Sequence, residues 1–138
     1  MTVFWIFIAS GLGGICRYGV SIFTLSFYTH IFPLGTLIAN LIGVFLIGMI
    51  FTKFEYSDMR NILMVGFCGG FTTFSTFSLE TVTMFQSGRI TDTVIYILSS
   101  LVGCALFCYL GILFFANPEI VAKANIPKRA TPRNNPAP

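Results

Sequence analysis

Charge is what this chain has least of. Only 9% of its 138 residues are Asp, Glu, Lys or Arg, where a soluble globular domain carries about 25%. That deficit excludes an ordinary soluble fold. It also excludes a basic nucleic-acid surface. The net charge of +3 is unevenly spread, because Lys123, Lys128, Arg129 and Arg133 all lie near the end and leave the hydrophobic part close to neutral. The one histidine, His30, stands near Pro33 with no catalytic company. No nucleophile–base pair, phosphate-cradling glycine loop or paired acidic cluster occurs, so no enzyme site is expected. The four cysteines, Cys16, Cys68, Cys104 and Cys108, all fall in apolar stretches. They have neither the oxidising aqueous setting of disulfides nor the spacing of metal ligands, and are expected as small packing residues. Met1-Thr2 supplies no basic n-region and the apolar run behind it is too long for a leader core, so no cleaved leader is expected.

What the chain does have is apolar length. It is 55% hydrophobic, with sixteen Phe, and a membrane-spanning helix needs about 20 apolar residues. Four such spans are expected: 3–27, interrupted by Arg17; 35–52; 61–87, with a break near Gly69; and 92–115. Pro33 closes a first loop, Lys53 to Arg60 form a solvated second one, and Gly88 to Thr91 turn the chain into the last span, with Thr91 or Asp92 as its N-cap. The fold class is therefore all-α integral membrane protein, with a transmembrane domain over 1–116. The tail over 117–138 is polar and basic, expected to be disordered and drawn to anionic lipid. Small residues four apart, such as Ala9/Gly13, Ser10/Gly14, Ala39/Gly43 and Ser99/Gly103, suit close helix packing within or between subunits. Lys53 and Arg60 oppose Arg89 across the membrane, a weak bias that permits insertion both ways and hence an antiparallel, dual-topology homodimer.

One stretch reads badly as a lipid-facing helix: Gly66-Phe67-Cys68-Gly69-Gly70-Phe71-Thr72-Thr73-Phe74-Ser75-Thr76-Phe77-Ser78. Glycines weaken a helix, and backbone freed at membrane depth must be buried in protein or line a polar cavity. The stretch is either a break that binds something or a tight packing seam. Phe74 and Phe77 share a helix face. Their electropositive ring edges suit a small anion, though such spacing also serves plain packing. Carbonyls of Gly69 and Thr72 could face a cation, or the glycines could form an empty notch. Asn40, one turn from Thr36, is either an anion donor or interhelical glue. Tyr96 and Ser100, extended by Cys104, form either a hydroxyl track or ordinary helix–helix hydrogen bonds. Arg17 either concentrates anions or bonds helix-end carbonyls. Glu80 is awkward beside an anion path and is expected to bond Thr76, to reach a neighbouring helix or to sit near water.

That stretch together with Glu80, the run Gly13-Gly14-Ile15-Cys16-Arg17-Tyr18, and the pieces Gly35-Thr36-Leu37 and Asn40-Leu41-Ile42-Gly43 resemble the Fluc (CrcB) fluoride channels. The resemblance covers all four spans. It implies a passive, selective channel in the bacterial inner membrane that exports fluoride from the cytoplasm and is built as an antiparallel homodimer. It further implies a structural Na⁺ at the dimer centre, held by backbone carbonyls at Gly69 and Thr72. The aromatic pair Phe74 and Phe77 would line the path beside Asn40, with Thr36, Tyr96, Ser100 and Arg17 as further candidates. The alternative from another class is a proton-coupled small multidrug-type exporter, which wants a membrane-embedded carboxylate in its cavity. The first span offers Arg17 instead, and Glu80 comes late in the third. A non-conducting assembly subunit is a third reading.

Overall fold

The structure, a computed structural model, describes residues 1–27 and 32–116. His30 and the tail over 117–138 therefore lie outside the described residues. Among those described there is no strand, and four helical spans are long and apolar enough to cross a membrane. In order they are α1 (Thr2–Phe27), α2 (Leu34–Lys53), a composite third span (Asp58–Gln86) and α6 (Ile90–Phe114). The third span comprises α3 (Asp58–Asn61), a π-helical stretch (Ile62–Cys68), α4 (Gly69–Phe71) and α5 (Phe74–Gln86).

Two boundaries differ from the sequence expectation. The third span starts at Asp58 rather than residue 61, because extended Ser57 accepts the Arg60 amide on its Oγ at 3.4 Å and caps the helix. The last span starts at Ile90, with Arg89 rather than Thr91 or Asp92 at the cap position. The preceding turn decides this. Gly88, at φ +74°, takes the left-handed geometry that glycine favours, and the Gly88 and Arg89 amides bond the Phe85 and Met84 carbonyls. Asp92 instead accepts from Arg89 at 2.8 Å.

Packing rests on glycines that let backbones touch. A Cβ on Gly48 would strike the Cys108 carbonyl oxygen, and one on Gly111 would strike that of Phe45. The two glycines bring α2 and α6 into their closest approach. α1 lies against the third span. A Cβ on Gly13 would hit the Phe67 carbonyl oxygen, and one on Gly70 would hit Ser10. Ser10 Oγ also donates to the Gly66 carbonyl at 3.2 Å inside the π-helical stretch. A π turn displaces the usual ladder, and Ser10 gives one of its carbonyls an extra partner.

Helical geometry lapses at Thr72 (φ −82°, ψ 156°) and Thr73 (φ −147°, ψ 119°). Gly69 itself is helical (φ −63°, ψ −35°). Gly66 and Gly70 thus serve close contact with α1, and the interruption falls after the glycines, on two threonines. Asn40 of α2 occupies the gap. Its Oδ1 accepts the Thr73 amide at 2.7 Å and its Nδ2 donates to the Thr73 carbonyl at 3.1 Å. Backbone donor and acceptor fix which way the amide points. Thr73 Oγ1 then accepts the Thr76 amide at 3.1 Å and caps α5.

Two outcomes follow. Gly111→Leu forces a side chain into the Phe45 backbone, and should cost about 1–3 kcal/mol, read as a lowered Tm of the detergent-purified protein. Asn40→Asp keeps the acceptor for the Thr73 amide but sets a carboxylate oxygen against the Thr73 carbonyl. It should cost about 1–3 kcal/mol in the same measurement, and an unchanged Tm would show that the clasp contributes nothing.

Candidate functional site

Three helices meet beside the interruption. A cavity of about 230 Å³ opens there, lined by Asn40 and Val44 of α2, by Thr72, Thr73, Phe74 and Phe77 of the third span, and by Ser100, Leu101 and Cys104 of α6. Phe74 and Phe77 stand 5.5 Å apart between ring centroids, tilted by 41°. They differ in burial: Phe77 is 8% exposed and Phe74 is 74% exposed. The cap at Thr73 starts α5 at Phe74, which puts the two rings one turn apart at the helix entrance.

The polar groups of this cavity are few. Ser100 is 5% exposed, and its Oγ is buried with no hydrogen-bond partner. A buried hydroxyl left alone costs about 1–3 kcal/mol, a cost that a water or ion seated beside it would relieve. Asn40 spends its carbonyl and one N–H on Thr73. A primary amide carries two N–H donors, so one remains.

A second tier lies one helical turn away. Thr36 precedes Asn40 by four residues, Glu80 follows Phe77 by three, and Tyr96 precedes Ser100 by four. Each pair occupies one helix face, so the three partners converge as the first three do. Thr36 Oγ1 donates to Glu80 Oε1 at 2.8 Å, and the Tyr96 hydroxyl donates to Oε2 at 2.7 Å. Glu80 thus reaches two neighbouring helices and does not bond Thr76. Both of its oxygens are met by donors, as an acceptor-only carboxylate requires. Tyr96 is fully buried, packing on Phe77 at 5.1 Å and edge-on to Phe32 at 5.4 Å. Beyond this tier a wider cavity of about 350 Å³ is lined by Thr36 and Glu80 together with Ser21, Thr24, Thr83 and Arg89.

The remaining sequence candidates lie apart. Arg17 reaches Thr76 Oγ1 from NH1 at 3.5 Å, a long contact, while its buried Nε has no partner. Thr76 also accepts from Thr73 Oγ1 at 3.0 Å, so Arg17 joins the hydroxyl cluster around the α5 start. It does not line the aromatic cavity. Gly69 is exposed and does not line the cavity, whereas Thr72 does. Glu80 is the group whose place sequence reasoning left open. The signal was the spacing: three polar or aromatic pairs, each three or four apart, on three different spans.

The residues named for a cation pass a test of donor chemistry. Thr73 N–H, which would bond the Gly69 carbonyl in a continued α-helix, is taken by Asn40. The last helical amide bond runs from Thr72 N to Cys68 O at 2.9 Å. Extended Thr72 also turns its carbonyl off the helical ladder. Neutral oxygens of this kind suit a hard monovalent cation, and no group of three or more His, Cys, Asp or Glu that could hold a metal competes among the described residues.

Comparison with known proteins identifies the family. The family model described as CrcB-like protein, Camphor Resistance (CrcB), matches residues 4–112. A protein of Magnetococcus marinus named fluoride-specific ion channel FluC is 37% identical over 118 residues, covering 82% of this chain and 96% of the relative. Proteins of the same name from Coxiella burnetii (37% over 119 residues, 82% and 96%) and Geotalea daltonii (40% over 119 residues, 80% and 94%) match similarly. The match takes in all four spans and both tiers of the site, and the chain belongs to the CrcB family.

Proposed function

We propose that this protein is a passive, selective fluoride channel that carries fluoride out of the cytoplasm across the bacterial inner membrane. The observation that carries the reading is that Ser100, whose buried hydroxyl has no partner, lines the same small cavity as Asn40, Phe74 and Phe77. A dehydrated halide needs donors that replace water without gripping it. A hydroxyl, one amide N–H and two positive ring edges supply that, and weak sites let an ion leave. The names of the family relatives point the same way.

In this reading two copies assemble as an antiparallel, dual-topology homodimer. The exposure of Phe74 in the single chain fits a cavity that a second copy closes. Gly69 and Thr72 of both copies would hold a structural Na⁺ at the dimer centre, since two-fold symmetry doubles the pair of carbonyls. Such an ion supplies fixed positive charge near the path. Thr36 and Tyr96 are spent on Glu80, so their part is to hold that carboxylate away from the halide and to shape the wider cavity. Arg17, at the α5 start, adds positive potential. The exporter alternative asks for a carboxylate free to trade its proton, whereas Glu80 has both oxygens engaged.

The test is fluoride efflux from liposomes, read with a fluoride electrode under a potassium ionophore and no proton gradient. The wild type should discharge the vesicles. Phe74→Ile and Phe77→Ile should each lower efflux by about two orders of magnitude or more, because the ring edges vanish while volume stays near, with the protein still eluting as a folded species. Wild-type rates in both variants would remove the rings from the path.

A further inference from the structure

The cavity at the interruption contains a group that a hydroxyl track does not need. Cys104 lies four residues beyond Ser100 on α6 and lines the same cavity. It is a free thiol of intermediate burial, neither sealed like Cys68 nor turned out like Cys16. Ser100, whose buried Oγ has no partner, lines the same space. The site is therefore built for a guest, and its donors are of two kinds. Hydroxyl and amide are hard; the Cys104 sulfur is soft and prefers soft metals.

We infer that this cavity is also a site for a thiophilic cation, bound at Cys104 Sγ and filling the space between Ser100 and the Phe74 and Phe77 rings. The inference rests on the reading of this cavity as the ion path, because occupancy then stops flux. Methylmercury is the suitable probe. In the reaction one S–Hg bond forms, chloride or water leaves mercury, and the thiol proton passes to solvent. No electrons are transferred. The cavity of about 230 Å³ exceeds several times the ~30 Å³ share of a liquid water, and so admits a group of two heavy atoms. Phe74, exposed on the single chain, belongs to the wall that a second copy covers in the dimer, so methylmercury reaches Cys104 along the ion path.

The experiment uses the full-length channel in liposomes. Methylmercury chloride should reduce fluoride efflux to about a tenth or less of the untreated rate, as expected for an occluded single-file path, and dithiothreitol should restore it. Cys104→Ser, compared with its own untreated rate, should lose this sensitivity; Cys104→Ala serves if the serine variant does not fold. Intact-protein mass should show one mercury adduct fewer in either variant than in the wild type. Equal adduct numbers overturn the inference whatever the flux does. An adduct difference with equal block in wild type and variant overturns the occlusion. An adduct at Cys104 with undiminished flux keeps the thiol site and instead defeats the reading of the cavity as the path.

Discussion

The rest of the site depends on one side chain that completes a helix interruption. Two residues of extended backbone inside an apolar bundle would leave an amide and a carbonyl without partners, a cost of several kcal/mol in lipid. Asn40 meets both at Thr73. Once that clasp is made, Thr73 is placed to cap α5, and Phe74 and Phe77 sit at the new helix entrance, where they line one cavity with Ser100. Removing the clasp would allow the third span to close into one continuous helix, turning the rings through a different angle. The geometry of the aromatic pair is thus set from α2, not by the pair itself.

The same logic explains the second tier. A carboxylate inside a bundle is tolerated only with donors in hand. Glu80 has Thr36 and Tyr96, and these come from the same two helices, α2 and α6, that Gly48 and Gly111 draw into contact. Glycine packing, a satisfied carboxylate and an unsatisfied serine are therefore one arrangement. The close approach of α2 and α6 fixes Thr36 with Asn40 and Tyr96 with Ser100. The α5 register, set by the Thr73 cap, brings Glu80 to the first pair and Phe77 to the second.

Much of the architecture was legible because lipid imposes length: the four apolar runs give four helices of spanning length with ends within a few residues. The boundary errors came from local chemistry that composition does not weigh. Ser57 captured a helix start, and the Gly88 turn fixed another. The glycine-rich stretch announced itself, but glycine content pointed to Gly69, whereas Gly70 and Gly13 are contact points and the chain leaves helical geometry at Thr72 and Thr73. Sequence cannot place such a lapse, since it depends on Asn40, a partner 33 residues away. The split over Asn40 as donor or glue was also undecidable from spacing alone. The structure gives it the interhelical bonds and leaves one N–H over. Glu80 stayed without a place because its two donors lie on different helices.

The central claim is that a cavity offering ring edges, one hydroxyl and one amide N–H passes fluoride and refuses larger halides. The most direct measurement is the ratio of fluoride to chloride efflux from the same reconstituted vesicles, each under a potassium ionophore. The account predicts rapid fluoride discharge with chloride retained at the level of protein-free vesicles. Comparable discharge of both ions, or of neither from folded protein, would contradict it.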